Sequence, residues 1–493
     1  MSMQWATVGR EIFRRHIQMN WHRWFSLKSY VLSALWVVPF IAMFAEQVLV
    51  RLADVVGSWL VESESIGQNT LFFFASAAGT RSMLETIVSA TLSFLVFTFG
   101  SLLVAIQVAG GQYTPRVIAT IFLRDNVVRF CVGLFVITLL CAIRTLREMD
   151  ATVHQLNTVL SAILGIVSIM TFLFLIDYAA RMLRPVSIVA RVGESGLAVI
   201  KSVYPERSTR TRAVASTRRL ASPARVVVHK GNSGVVLAVD LAGLFAQARH
   251  YGGIIEFVPQ VGDFLSVEEP LFRLYGGASA IDERQLRAAV ALGTERTMEQ
   301  DPSFAFRILV DIAIKALSAA INDPTTAVLA IDQLHRLLRQ VSLRDLHGEE
   351  FRDETGELRL VFRTPNWEDF VHLACTEIRH CGAGSIQIVR RMRSLLENLL
   401  QTLPQDLHAE LRQQLDLLDR TIDGRYTFPE DLALARIADS QGLGGALGIP
   451  PASEAPIDEE KIAARSAFQL GQTDPVRRGS SQTRVGTIAK AGS

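Results

Sequence analysis

Residues 84–130 read LETIVSATLSFLVFTFGSLLVAIQVAGGQYTPRVIATIFLRDNVVRF. From Leu84 to Val108 this is an apolar run, longer than the roughly 20 residues a helix needs to cross about 30 Å of hydrocarbon. Thr86, Ser89, Ser93, Gly100 and Gln107 recur along it at steps of three, four, seven and seven. At 3.6 residues per turn they fall within roughly 60° of one another and share one face. Lipid contact gains nothing from such a stripe, which suits close helix packing or the lining of a wet path. The run ends in Gly110-Gly111-Gln112-Tyr113-Thr114-Pro115-Arg116. The paired glycines loosen the chain there, and Pro115 disfavours helical geometry at Thr114. Gly110, Gly111, Gln112, Tyr113, Pro115 and Arg116 are therefore expected to form a hinge that couples membrane to cytosol.

Outward from this stretch the chain reads as a polytopic α-helical membrane protein with a cytosolic α+β region. Its 493 residues, 49% hydrophobic, are too many for one domain and too apolar for an ordinary soluble protein. Four cysteines are too few for a disulfide framework. Apolar runs at about 29–50, 127–146 and 156–177 join 84–108 to predict four transmembrane helices. A basic arm, 1–28, precedes the first, with Trp21 and Trp24 suited to the interface. No Ala-x-Ala site follows that run, so a retained helix is expected rather than a signal peptide. Lys and Arg in the flanks number twelve on one side (among them Arg116, Arg124 and Arg129) and four on the other. The positive-inside rule then places both termini in the cytoplasm. Glu46 and Glu85 fall near the outer ends of their spans and Asp177 near an inner end, within reach of the interface. Asn157, Ser161, Gly165 and Ser168 form a small-residue face that implies helix packing. The outer connection, 51–83, carries an apolar segment at 71–78 too short to span.

Beyond the spans, 181–224 is expected to be a basic linker, and 225–280 a small β domain of short Val-rich, glycine-punctuated runs. There Val261-Gly262-Asp263-Phe264-Leu265 and the following Glu268-Glu269-Pro270-Leu271-Phe272 resemble the turn of small barrel-sandwich domains of the lipoyl type. The carrier lysine of those domains has no counterpart here. Residues 281–440 read as mainly helical. Asp301-Pro302 and Asp323-Pro324 are two start signals, each an N-cap Asp before a first-turn Pro. From 441 to 493 no core can be built, and disorder is expected.

No phosphate loop, nucleophile elbow, His-Glu-x-x-His or Cys-x-x-Cys occurs, so neither catalytic residues, metal nor cofactor is expected. His372, Cys375, His380 and Cys381 would not all face one way on a helix. Asp311, Asp323, Asp332 and His335, with Asn322 and Pro324 in the turn between them, are the candidate cytosolic ligand site; a helix cap and an ion-pair ladder explain part of the set equally well.

Two linked stretches resemble the bacterial inner-membrane proteins grouped as Domain of Unknown Function 2254. One is Gln112-Tyr113-Thr114-Pro115-Arg116 with Phe122-Leu123-Arg124-Asp125. The other is Glu295-Arg296-Thr297 and Asp301, leading to Ile321-Asn322-Asp323-Pro324-Thr325-Thr326-Ala327 and Asp332. The resemblance covers about residues 15–430. It implies architecture and location and brings no activity with it. Expected partners are the lipid bilayer, further copies of the same chain and a cytosolic protein, but no nucleic acid. A homo-oligomeric channel or transport-type protein with a cytosolic gating or sensing domain fits the stripe. A non-transporting scaffold or signalling protein, with the stripe as a packing face, is the rival.

Overall fold

The computed structural model describes residues 31, 34, 36–62, 77–113, 125–148, 155–204, 206, 220–346 and 350–445. The basic arm, the apolar segment of the outer connection up to residue 76, Pro115 and Arg116, residues 205 and 207–219 of the basic linker, and the tail beyond 445 lie outside the described residues.

In chain order, helices α1 (Val37–Glu62), α2 (Ala77–Gln112), α3 (Asn126–Glu148), α4 (Gln155–Met182) and α5 (Pro185–Val203) come first. Then follow β1 (Arg225–Val228), β2 (Gly234–Val239), α6 (Leu241–His250), β3 (Gly253–Phe257), β4 (Phe264–Leu265), β5 (Pro270–Gly276), α7 (Glu283–Ala288) and β6 (Val290–Gly293). The chain continues with α8 (Pro302–Ala316), α9 (Pro324–Ser342), β7 (Glu350–Arg352), β8 (Leu358–Phe362), α10 (Trp367–Gly382), α11 (Ile386–Thr402), α12 (His408–Arg425) and α13 (Pro429–Ala435).

Among the described residues three helices are long and apolar enough to cross a membrane: Ala78–Gly111, Asn126–Glu148 and Leu156–Met182. Helix α1, which carries Glu46, Arg51 and Asp54, is not one of them and runs past the expected end at Val50 to Glu62. The central helix is α3, which packs against α1, α2 and α4. Half of its apolar stretch is buried, against 17% and 22% for the other two. Gly133 lets α1 approach, since a Cβ there would lie 2.9 Å from Val38 Cγ1. Gly165 does the same for Ile87 of α2. Leu102, Val132, Phe135 and Leu175 fill the space between helices, with Phe94 stacked on Phe172 at 4.2 Å. Large apolar side chains instead cover the outside, among them Phe44 and Val55 of α1 and Met170 and Leu173 of α4.

Helix α5 departs from the linker expected over 181–224. Ile188, Val189, Val192, Leu197 and Ile200 are buried on one face, and Gly193 and Gly196 bring that face against α8 and α9. The Asp-Pro starts of α8 and α9 form as expected. Asp301 accepts from Phe304 N at 3.1 Å, and Asp323 from Thr326 N at 3.0 Å. One core joins α5 to α8–α13 and takes in Ala105, Ala109 and Tyr113 from the end of α2.

The strands form a five-stranded sheet in the order β1-β5-β3-β8-β7 and a three-stranded sheet in the order β4-β2-β6. Strand β8 runs parallel to β3, with Ile255 opposite Leu360 and Phe257 opposite Phe362. A self-contained barrel over 225–280 does not describe this arrangement, because three of the strands come from beyond residue 289. Gly262 (φ 96°) does sit in the tight turn read from the sequence, and no Cβ would fit between it and the Arg296–Asp301 ion pair. The described chain also stays ordered past 441. Asp439 Oδ1 accepts from Gln441 N at 3.0 Å and Gly442 N at 2.9 Å, which wraps residues 439–444 onto α11.

Candidate functional site at the junction of membrane helices and helical core

Helix α2 runs unbroken through Gly110 and Gly111 to Gln112, and Tyr113 N still donates to Ala109 O at 2.9 Å. The glycines thus hold helical geometry, and the helix carries Tyr113 (4% exposed) straight into the core formed by α5 and α8–α13. Burial, and secondarily the nearby Asp323 carboxylate, push the Tyr113 phenol above its ordinary pKa. The two stretches of the family resemblance therefore meet in space. Around Asp323 the turn is tight: Asn322 adopts φ 50°, the left-handed region that Asn tolerates better than most residues. Pro324 occupies the first turn of α9, where its missing N–H costs nothing.

A second junction lies at the start of α3. Asp125 Oδ1 caps the helix by accepting from Val127 N at 2.9 Å and Val128 N at 3.3 Å. Its Oδ2 accepts from Tyr178 Oη of α4 at 2.5 Å and from Arg191 Nη1 of α5 at 2.6 Å. Arg191 Nη2 also donates to Tyr178 Oη at 3.1 Å, closing a triad. The Asp125 side chain is 3% exposed. One carboxylate thereby ties two membrane helices to α5, and α5 rests on α8 and α9. The residue-level reading passed over this triad. An Asp-Asn pair directly before an apolar run is an N-cap signal that could have marked Asp125, but nothing local pairs it with Tyr178 or Arg191.

On α2 the polar stripe faces away from the chain's own helices. Thr86, Ser89, Ser93, Gly100 and Gln107 are exposed, while Leu84, Thr91, Thr98, Leu102 and Ala105 on the opposite side are buried. Thr86 and Ser93 donate their hydroxyls to Ser82 O (2.8 Å) and Ser89 O (2.9 Å) one turn back. A Cβ on Gly100 would meet nothing within 4 Å.

Inside the helix bundle the polar residues pair across helices. Thr138 meets Ser168 at 2.8 Å, Thr145 meets Ser161 at 3.2 Å, and Asn157 Nδ2 donates to Asp54 Oδ1 at 2.8 Å. The small-residue face of α4 is thus a packing face. Glu46 corrects the expectation of an interfacial carboxylate. It is 2% exposed and accepts from Gln47 Nε2 at 2.8 Å, and Gln47 in turn accepts from Arg144 Nη1 at 3.1 Å. Its position near a span end suggested reach to water, but packing between α1 and α3 encloses it.

The candidate cytosolic residues do not converge. Asp311 pairs with Arg307 Nε at 2.7 Å, and Asp332 with Arg391 at 2.6 Å. His335 Nε2 lies 3.0 Å from Asn398 Oδ1, and Asp323 is a helix cap. His372 instead faces Glu410 at 3.0 Å, and Cys375 is buried while Cys381 is exposed. Among the described residues no three His, Cys, Asp or Glu side chains come together as a ligand set. Burial holds the His335 imidazole down at about 4, from 6.5. The unfolded chain then binds an extra proton between these values, so stability should fall as pH drops from about 6.5 to about 4. His335→Gln should flatten that part of a plot of thermal midpoint against pH.

Comparison with known proteins agrees with this architecture. Residues 33–398 match the family model described as "Predicted membrane protein (DUF2254)". Uncharacterized proteins of Mycobacterium bovis and Mycobacterium tuberculosis are each 25% identical over 470 residues, covering 90% of this chain and 88% of theirs. No solved structure matches. With most of its length inside that model, and with apolar helices to match its description, the chain belongs to the DUF2254 family of predicted membrane proteins.

Proposed function

We propose that the protein is a homo-oligomeric channel or transport-type protein of the bacterial inner membrane, in which α2 lines the path and the cytosolic region gates or senses. The observation that carries this reading is the exposure of the α2 stripe on the chain's own surface. Gln107 cannot bond back to its own helix as a hydroxyl does, so its amide needs water or a second copy. In this reading α1 is the fourth crossing, with Glu46 turned inward and large apolar side chains such as Phe44 and Val55 outward. Both termini are cytoplasmic, as the basic flanks require. Tyr113 and the Asp125 triad then couple the path to the core around α8 and α9, with Gly110 and Gly111 at the point where α2 enters that core.

The scaffold reading draws support from the same helix. The hydroxyls of Thr86 and Ser93 are already bonded, and the open space at Gly100 suits a dry helix–helix contact. Flux through liposomes reconstituted with the purified protein separates the two. Ser89→Leu with Ser93→Leu should abolish ion or solute flux at unchanged expression and oligomeric state. Loss of the oligomer in that variant, with no flux from the wild type under voltage, tension or osmotic downshift, assigns the stripe to packing.

A further inference from the structure

A cavity of about 500 Å³ opens between the β region and the helical core, within the size range of small-molecule sites. Tyr204, Phe257, Val261 and Phe362 give it an apolar lining. Its charged residues are Asp240, Glu299, Asp301 and Arg363. The three acids are already engaged. Asp240 caps α6 through Gly243 N at 2.9 Å, Asp301 holds Arg296 and caps α8, and Glu299 also has a partner. Arg363 alone among these charges has no hydrogen bond or ion pair with the described residues, and it stands exposed at the end of β8.

Two further donors face this space. Gln300 spends its Oε1 on Val239 N at 3.0 Å, and its Nε2 has no acceptor among the described residues. Tyr204 is 4% exposed, packs edge-on against Phe370, and its hydroxyl likewise has no acceptor there. Burial first, and then Asp301 and Asp369, hold that phenol protonated and so keep it a donor. An apolar cavity whose donors lack acceptors, and whose Arg363 guanidinium has no ion-pair partner among the described residues, complements a ligand with an apolar body and an anionic oxygen group.

We propose that this cavity is a binding site for a small organic acid, its carboxylate on Arg363 and its apolar body among Phe257, Val261 and Phe362. Tyr204 and Gln300 supply hydrogen bonds deeper in. The site deepens the sensing role of the cytosolic region, yet binding is measured without any flux, so failure of the transport reading leaves it standing.

The test uses the full chain in nanodiscs, with phenylacetate as probe and calorimetry or saturation-transfer NMR as readout. Phenylacetate should bind saturably at one site per chain. Arg363→Gln should weaken it about tenfold or more, as expected for losing a charge-assisted pair, and Arg363→Lys should recover part of the loss. Tyr204→Phe should weaken it by a few-fold, about what one neutral hydrogen bond contributes. Benzylamine, the same ring with a cation, should bind at least about tenfold more weakly than phenylacetate. Absence of saturable phenylacetate binding, equal binding to Arg363→Gln at an unchanged thermal midpoint, or a preference for benzylamine each overturns the proposal.

Discussion

Asp125→Ala should destabilise the protein by about 3–4 kcal/mol, combining a lost helix cap with a broken, largely buried ion pair. Three groups lose their acceptor at once: the first N–H groups of α3, the Tyr178 hydroxyl and the Arg191 guanidinium. Arg191 Nη2 can still donate to Tyr178 Oη, but the Tyr178 hydroxyl proton and Arg191 Nη1 are left without their acceptor. Asp125→Asn keeps a capping oxygen and gives up the charge, so it should fall between wild type and Ala. Tyr178→Phe removes one hydroxyl and should cost about 1 kcal/mol. Thermal unfolding of the purified full-length protein in detergent gives this order directly. Equal midpoints for wild type and Asp125→Ala would mean that the triad contributes nothing. Because the triad joins α3 and α4 to α5, hydrogen exchange along α5 should rise in Asp125→Ala well before global unfolding.

The second large effect belongs to Arg390, whose side chain is fully buried. Its Nε donates to Ile437 O at 3.0 Å and its Nη1 to Gly444 O at 2.6 Å. Arg390→Leu should cost about 3 kcal/mol, since Leu replaces the apolar stem but leaves the Ile437 and Gly444 carbonyls without the donor that holds them. The thermal midpoint of the region around α8–α13 should drop by about 5–10 °C. Limited proteolysis should cut near residues 437–445 in the variant and spare the wild type. Arg336→Leu is the fitting control. Its pair with Glu194 is exposed on both sides (47% and 62%), and such pairs contribute about 1 kcal/mol or less. A similar loss from both variants would show that burial at Arg390 carries no special weight.

These residues also mark where reading the sequence stops. Long apolar runs declared the membrane helices, because crossing hydrocarbon fixes both length and composition. The Asp-Pro starts of α8 and α9 were equally plain, since a cap is a local device. The stretch of α5 is helical-looking in the sequence, with Ile188, Val189, Val192 and Ile200 at helical spacing, but its burial is not legible there. Arg184, Arg191 and Lys201 made it look like a charged flank, and only contact with α8 and α9 reveals its buried face. Glu46 was misplaced for a related reason: depth along a helix is visible in a sequence, whereas the side a neighbouring helix covers is not. Nothing near Arg390 and Arg391 in the sequence points to the contacts that hold them, because their carbonyl partners lie some fifty residues on. The candidate cytosolic acids failed to converge because each one's nearest cation, Arg307 for Asp311 and Arg391 for Asp332, took it first.

The parallel pairing of β3 with β8 has a consequence for how the chain is made. Strand β3 can pair with β5 as soon as both have left the ribosome, but its other edge must wait for residues 358–362. Until then α8 and α9 are synthesised while β3 offers an open edge, the kind of surface that recruits strands from other chains. Membrane helices α2–α4 are already complete by that time. The nascent protein is therefore held at the bilayer, away from bulk collisions, during the interval when its sheet is most open to mispairing.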